Sequence, residues 1–127
     1  MDAERLGLMG GSSGGQLALL SALTPDAPHH TGTPIVDLGG GPVDAAAVNA
    51  RVSFVAALWP VSDPLRRYHC AKSVGLEHLI ESHGHYYEDE AQMHAASIQR
   101  SLDDGQAQSL PAVWVASPVP TQTCHRP

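Results

Sequence analysis

Aromatic side chains are scarce in this chain: Phe, Trp and Tyr make up only 5% of its 127 residues. Apolar residues still reach 43%, so aliphatic side chains have to build the core, and the length suits one domain. Basic residues are also few. Seven Lys and Arg against thirteen Asp and Glu leave a net charge of −6, and only Arg66 and Arg67 are adjacent. A nucleic-acid surface needs a clustered basic face, so that class is set aside. The sequence has no apolar run of about 18 residues and no charged-then-apolar leader. The expectation is a soluble, cytoplasmic protein with no membrane or nucleic-acid partner. Cys70 and Cys124 stand alone in unlike surroundings, which argues against a zinc framework or a disulfide scaffold.

Short apolar runs alternate with helical patterns. Residues 4 to 9 read as a strand, and residues 13 to 23 as a helix apolar nearly all round, hence buried. Residues 27 to 43, rich in Pro, Gly and His, read as a loop with at most a short strand at Pro34 to Leu38. Asp44 to Val48 suits a helical turn or two. Val52 to Trp59 is a continuous apolar run, as in a strand covered on both faces. Asp63-Pro64 reads as a chain break. Helices are expected near Lys72 to Ser82 and Glu88 to Asp103, the second ended by Gly105, and a third strand at Leu110 to Ala116. This alternation predicts an α/β fold of about three parallel strands with flanking helices. So few apolar strands leave an open edge or face unless something outside the chain covers them.

Between the first strand and the first helix lies Gly10-Gly-Ser-Ser-Gly-Gly15. A serine hydroxyl is a weak nucleophile until it is presented to a base and to a substrate carbonyl, and a sharp strand-to-helix turn does this. Ser12 is the candidate nucleophile. The Ser13 N–H, next in the chain and at a helix N-terminus, is the candidate oxyanion donor. Gly10, Gly14 and Gly15 are expected to relieve crowding in so tight a turn. A flexible Gly/Ser linker is the structural alternative. A phosphate loop is disfavoured because no Lys follows the glycines.

The stretch Arg5-Leu-Gly-Leu-Met-Gly-Gly-Ser-Ser-Gly-Gly-Gln-Leu-Ala18 resembles the esterase/lipase branch of the α/β-hydrolase fold. So do Trp59-Pro-Val-Ser-Asp-Pro-Leu-Arg-Arg-Tyr68 and Leu110-Pro-Ala-Val-Trp-Val-Ala116. The resemblance spans Glu4 to Ala116, with the elbow its specific part. It implies a partial α/β-hydrolase domain over residues 1–127, a serine hydrolase acting on small acyl esters, and no cofactor and no metal. Two departures go with it. The upstream strands and the His-Gly-Gly loop of the family, which carries the second oxyanion donor, have no counterpart here. The acid loop expected after Ala116 is replaced by Ser117-Pro-Val-Pro-Thr-Gln-Thr-Cys-His-Arg-Pro127, without a carboxylate or a later catalytic histidine. Codons permitted for Pro118 to Arg126, read two bases later, spell Gly-Thr-Asp-Ala-Asn-Val-Pro-Pro. The tail from 117 to 127 is therefore read as frameshifted, and the chain as inactive alone. Asp63 is the other candidate acid, against a capping role before Pro64.

Eight histidines raise a metal alternative. His78, His83 and His85 cluster with Glu77, Glu81 and Glu88, and His94 follows Glu90 at helical spacing. No Cys pair or His-Glu-x-x-His accompanies them, so surface or cap histidines are the ordinary reading. Three functions stay open: a serine hydrolase, a non-catalytic fragment, and a metal-binding or interaction domain.

Overall fold

The structure is a computed structural model and describes residues 5–27, 32 and 34–117. Chain order runs β1 (Gly7–Gly11), α1 (Ser13–Leu23), β2 (Ile35–Val36), β3 (Pro42–Val43), a 3-10 turn (Ala45–Ala47) and β4 (Phe54–Leu58). Four helices follow, α2 (Pro64–Val74), α3 (Glu77–Tyr86), α4 (Glu90–Ala95) and α5 (Ile98–Asp103), and then β5 (Ala112–Ala116). The result is a mixed α/β structure. Its main sheet has the order β1-β4-β5 and is parallel, with Gly7 paired to Phe54 and Phe54 to Ala112, and β2 and β3 form a separate antiparallel pair.

Strand side chains alternate between the two faces. Leu8, Val55 and Ala57 point toward α1, where Ala18, Leu19, Ala22 and Leu23 meet them, and Ile98 of α5 closes this small aliphatic core. Met9, Ala56 and Trp114 lie in one row on the opposite face. Met9 is 76% exposed and Trp114 59%, so the outer face is bare among the described residues. Neither β1 nor β5 has a second partner strand there. α1 also differs from the buried cylinder expected of it: Leu17 is 60% exposed, because sheet and α5 cover one side of the helix only.

Several boundaries move for identifiable reasons. The first strand runs to Gly11 rather than stopping at Met9, because pairing with β4 continues up to the Ser12 turn. Asp63-Pro64 starts a helix instead of breaking the chain. Asp63 is the N-cap, its carboxylate accepting from the Arg66 N–H at 3.0 Å, and Pro64 occupies the first turn, where a missing N–H is harmless. The single helix expected near 72 to 82 is thus two. Gly75, at φ 70°, ends α2 in the left-handed region, and α3 begins two residues later. The stretch 88 to 103 is also two helices. Ser97 restarts the second by accepting from the Arg100 N–H at 3.3 Å.

Candidate functional site

Ser12 lies between the last residue of β1 and the first of α1, at φ 53° and ψ −120°. A serine rarely takes a positive φ, and here three backbone hydrogen bonds hold it. The Ser12 N–H donates to the Leu58 carbonyl at 2.9 Å. The Ser12 carbonyl accepts from Gln16 N–H at 3.1 Å and from Val61 N–H at 3.3 Å. Its hydroxyl does not cap the helix and takes no hydrogen bond among the described residues. Ser13 follows as the first residue of α1, so its N–H is one of the donors a helix cannot satisfy internally.

The surrounding glycines are not equivalent. A Cβ on Gly10 would lie 2.3 Å from the Gly14 carbonyl oxygen, and one on Gly15 would lie 3.0 Å from the Gly10 oxygen and 3.1 Å from Pro60 Cβ. Those two positions require close approach of strand, helix and the segment after β4. Gly14 does not: a Cβ there meets nothing within 4 Å. The expectation that all three relieve crowding is corrected for Gly14, whose α-carbon faces open space at the helix start.

Ser12 and Ser13 open on a cavity of about 260 Å³, walled by Gln16, Val61, Arg67, Leu79, Ser82, His83, Tyr86 and Tyr87. α1 supplies the floor, and α2 and α3 the walls. Gln16, 4% exposed, locks these layers together. Its Nε2 donates to the Ala96 carbonyl at 2.8 Å, and its Oε1 accepts from the Tyr87 hydroxyl at 3.1 Å. Burial pushes the Tyr87 phenol above its ordinary 10.0; the Gln16 hydrogen bond and the Arg67 charge oppose that rise, while Tyr86 adds to it. The Tyr86 and Tyr87 rings meet edge to face at 4.8 Å.

His83 is 4% exposed, and its Nδ1 lies 2.7 Å from the Leu79 carbonyl oxygen. A carbonyl only accepts, so Nδ1 carries the proton and, in the neutral ring, Nε2 keeps its lone pair. Among the described residues Nε2 has no partner, and no buried side-chain nitrogen or oxygen is left unpaired. Nε2 therefore retains solvent access. Sequence reading grouped His83 with His78 and His85 and missed its place on this cavity. The one available signal is helical spacing: Leu79, His83 and Tyr86 share a helix face.

Asp63 borders a neighbouring cavity with Arg66, Cys70 and Gln99, and does not line the one at Ser12. Among the described residues no group of three His, Cys, Asp or Glu is close enough to hold a metal ion. His69 and Lys72 approach Glu90 at 3.3 and 3.9 Å on an open surface. Among the described residues no helix is long and apolar enough to cross a membrane. The tail 118–127, to which the frameshift reading applies, lies outside the described residues. Comparison with protein-family models, with curated proteins and with solved structures finds no match to this chain.

Proposed function

We propose that Ser12 is the nucleophile of a serine hydrolase site of the carboxylesterase or lipase type, on a partial α/β-hydrolase fold, acting on small acyl esters. The observation that carries this reading is the strained Ser12 backbone at a strand-to-helix turn, with an unbonded hydroxyl on a cavity. Backbone strain of this kind clusters where function requires it. In the reaction Ser12 Oγ adds to the ester carbonyl carbon. The carbonyl oxygen gains negative charge, which the Ser13 N–H and the positive end of α1 stabilise. The alcohol leaves with a proton, and water then releases the acid from the acyl-serine. His83 is the imidazole of the cavity, and its Nε2 lone pair supplies the base. No hydrogen bond joins it to Ser12, and such contacts often tighten only when substrate is bound. Among the described residues no carboxylate lines the cavity to orient the imidazole; the Leu79 carbonyl takes that part. Without a carboxylate partner for the imidazole, both acylation and deacylation are expected to be slow.

Labelling with a fluorophosphonate, followed by peptide mass spectrometry, tests the reading. Ser12 should carry the adduct, Ser12→Ala should not, and His83→Gln should slow the labelling. An unlabelled Ser12 in folded protein refutes the nucleophile assignment. The second reading is a non-catalytic fragment that associates through its sheet. It is favoured by the bare outer face, where Met9, Phe54 and Trp114 are exposed. Absent labelling together with concentration-dependent association would support it.

A further inference from the structure

The cavity at Ser12 has a marked electrostatic character. Among its described lining residues Arg67 is the sole fixed charge, and no Asp or Glu offsets it. The guanidinium is half-buried on α2 and forms no ion pair or hydrogen bond among the described residues. The other described cations near carboxylates are engaged: Arg51 with Asp26 at 2.6 Å, Arg100 with Asp104 at 3.0 Å, and Lys72 with Glu90 at 3.9 Å. Arg67 also borders the neighbouring cavity that holds Asp63, yet the two form no salt bridge. Its charge is felt instead at the Tyr87 ring, on the Ser12 side. The N-terminus of α1, an 11-residue helix, adds partial positive charge to the same space. The cavity is also lined by the apolar side chains of Val61 and Leu79 and the rings of Tyr86 and Tyr87.

We infer that this cavity selects an anionic ester, a small acyl ester bearing a free carboxylate, which Arg67 binds while Ser12 faces the ester carbonyl. An unpaired guanidinium in a part-buried cavity is a ready partner for a carboxylate, which its planar fork can hold by two parallel hydrogen bonds. At about 260 Å³ the cavity is smaller than the usual range for drug-sized ligands, about 300–1,000 Å³, and suits a short chain. The inference deepens the hydrolase reading and rests on it for the ester; the anion preference itself depends only on Arg67 and the cavity.

The test uses the full chain carrying Ser12→Ala, so that no turnover intervenes, and titrates it calorimetrically with monoethyl succinate and with neutral diethyl succinate. The monoester should bind more tightly, and added salt should weaken it. Arg67→Gln should weaken monoester binding by about tenfold or more while leaving the diester unchanged. Arg67→Lys, which keeps the charge, should retain part of the preference, and helical circular dichroism checks that each variant is folded. Equal binding of the two esters, no binding of either, or a preference that survives Arg67→Gln overturns the inference. Fluorophosphonate labelling of the wild-type chain, run in parallel, separates the two readings. A labelled Ser12 without anion preference sinks the inference alone, whereas anion binding without labelling sinks the nucleophile alone.

Discussion

Substituting alanine separately at Gly10 and Gly14 should shift stability in opposite directions. At Gly10 the new methyl would lie 2.3 Å from the Gly14 carbonyl oxygen, 2.4 Å from its carbon and 2.8 Å from the Gly15 nitrogen. All three atoms are backbone, so no flexible side chain can swing away, and α1 must lift from β1. Overpacking costs about 1–3 kcal/mol, and a backbone clash belongs at the upper end. A loss of about 2 kcal/mol, with a urea m-value of about 1.5 kcal/mol/M, lowers the unfolding midpoint by roughly 1.3 M. Gly14 is helical, and a methyl there meets nothing within 4 Å. Alanine then only reduces the freedom of the unfolded chain and should stabilise by about 0.4–1 kcal/mol, raising the midpoint by roughly 0.3–0.7 M. Urea titration followed by circular dichroism at 222 nm reads both. Equal destabilisation by the two substitutions, or a harmless Gly10→Ala, would refute the close approach of β1 and α1 described above.

Four further outcomes are expected. Ser12→Gly should be more stable than Ser12→Ala by about 1 kcal/mol in the same titration, because glycine accepts the positive φ and alanine does not; equal stabilities would show that the turn is unstrained. Tyr87→Phe leaves Gln16 Oε1 unpaired and should cost about 1–3 kcal/mol, and a double-mutant cycle with Gln16→Leu should give a non-additive result; additivity would mean the pair is uncoupled. The raised Tyr87 phenol also gives a pH effect. The unfolded chain loses this proton first, near 10.0, so the contribution is intact below that pH and is lost as pH rises through the folded value; Tyr87→Phe should remove that part of the alkaline decline. Asp63→Ala should cost about 1 kcal/mol as a lost helix cap, whereas Asp63→Asn should be nearly neutral and leave Ser12 labelling unchanged; loss of labelling in a stable Asp63→Asn protein would give the carboxylate a chemical role.

The parallel sheet and α1 were legible because their signals are local. Largely apolar runs at Val52 to Trp59 and Leu110 to Ala116 contain the observed strands, and the Gly-Ser turn marks where β1 becomes α1. The helical layer was less legible, and its punctuation was misread. Asp63-Pro64 and Gly75 are the start and stop signals of α2, but Asp-Pro marks a loop equally well, and only the capping bond to Arg66 N–H decides. Ser97 gave no warning of the break between α4 and α5, since a serine within a helical pattern is ordinary. There a tertiary contact intervenes: the Ile98 N–H donates to the Ser62 carbonyl at 2.9 Å, drawing the chain out of the helix. The cavity walls were the least legible. Arg67, His83 and Tyr87 come together with Ser12 only because α2 and α3, packed on each other, border the cavity at the start of α1, and no spacing in the sequence encodes that approach. Gln16 is the telling case. Within an apolar helix it reads as a polar interruption, yet its amide bridges Ala96 and Tyr87 and so fixes the wall that faces Ser12.

The strain at Ser12 is the point where local structure bears on the proposed function. A non-glycine residue in a sparsely populated region costs of order 1–3 kcal/mol and persists only where its surroundings over-determine it. Here they do so from three directions: Leu58 at the end of β4, Gln16 in the first turn of α1, and Val61 beyond β4. Trp59, at φ 39°, is the other non-glycine residue with positive φ among those described, and it follows Leu58 directly. Its N–H donates to the Ala116 carbonyl at 2.6 Å, so each strained residue is fixed to the next strand in the order β1-β4-β5. Both lie just past the carboxyl ends of parallel strands, where ligand sites of open α/β sheets form. The turn at residue 12 needs no hydroxyl for its own stability. The side chain caps nothing, and glycine would meet the backbone requirement with less strain. A serine held at such a position, on a cavity whose described lining carries Arg67 as its one fixed charge, fits the proposed nucleophile, a role that folding alone does not require.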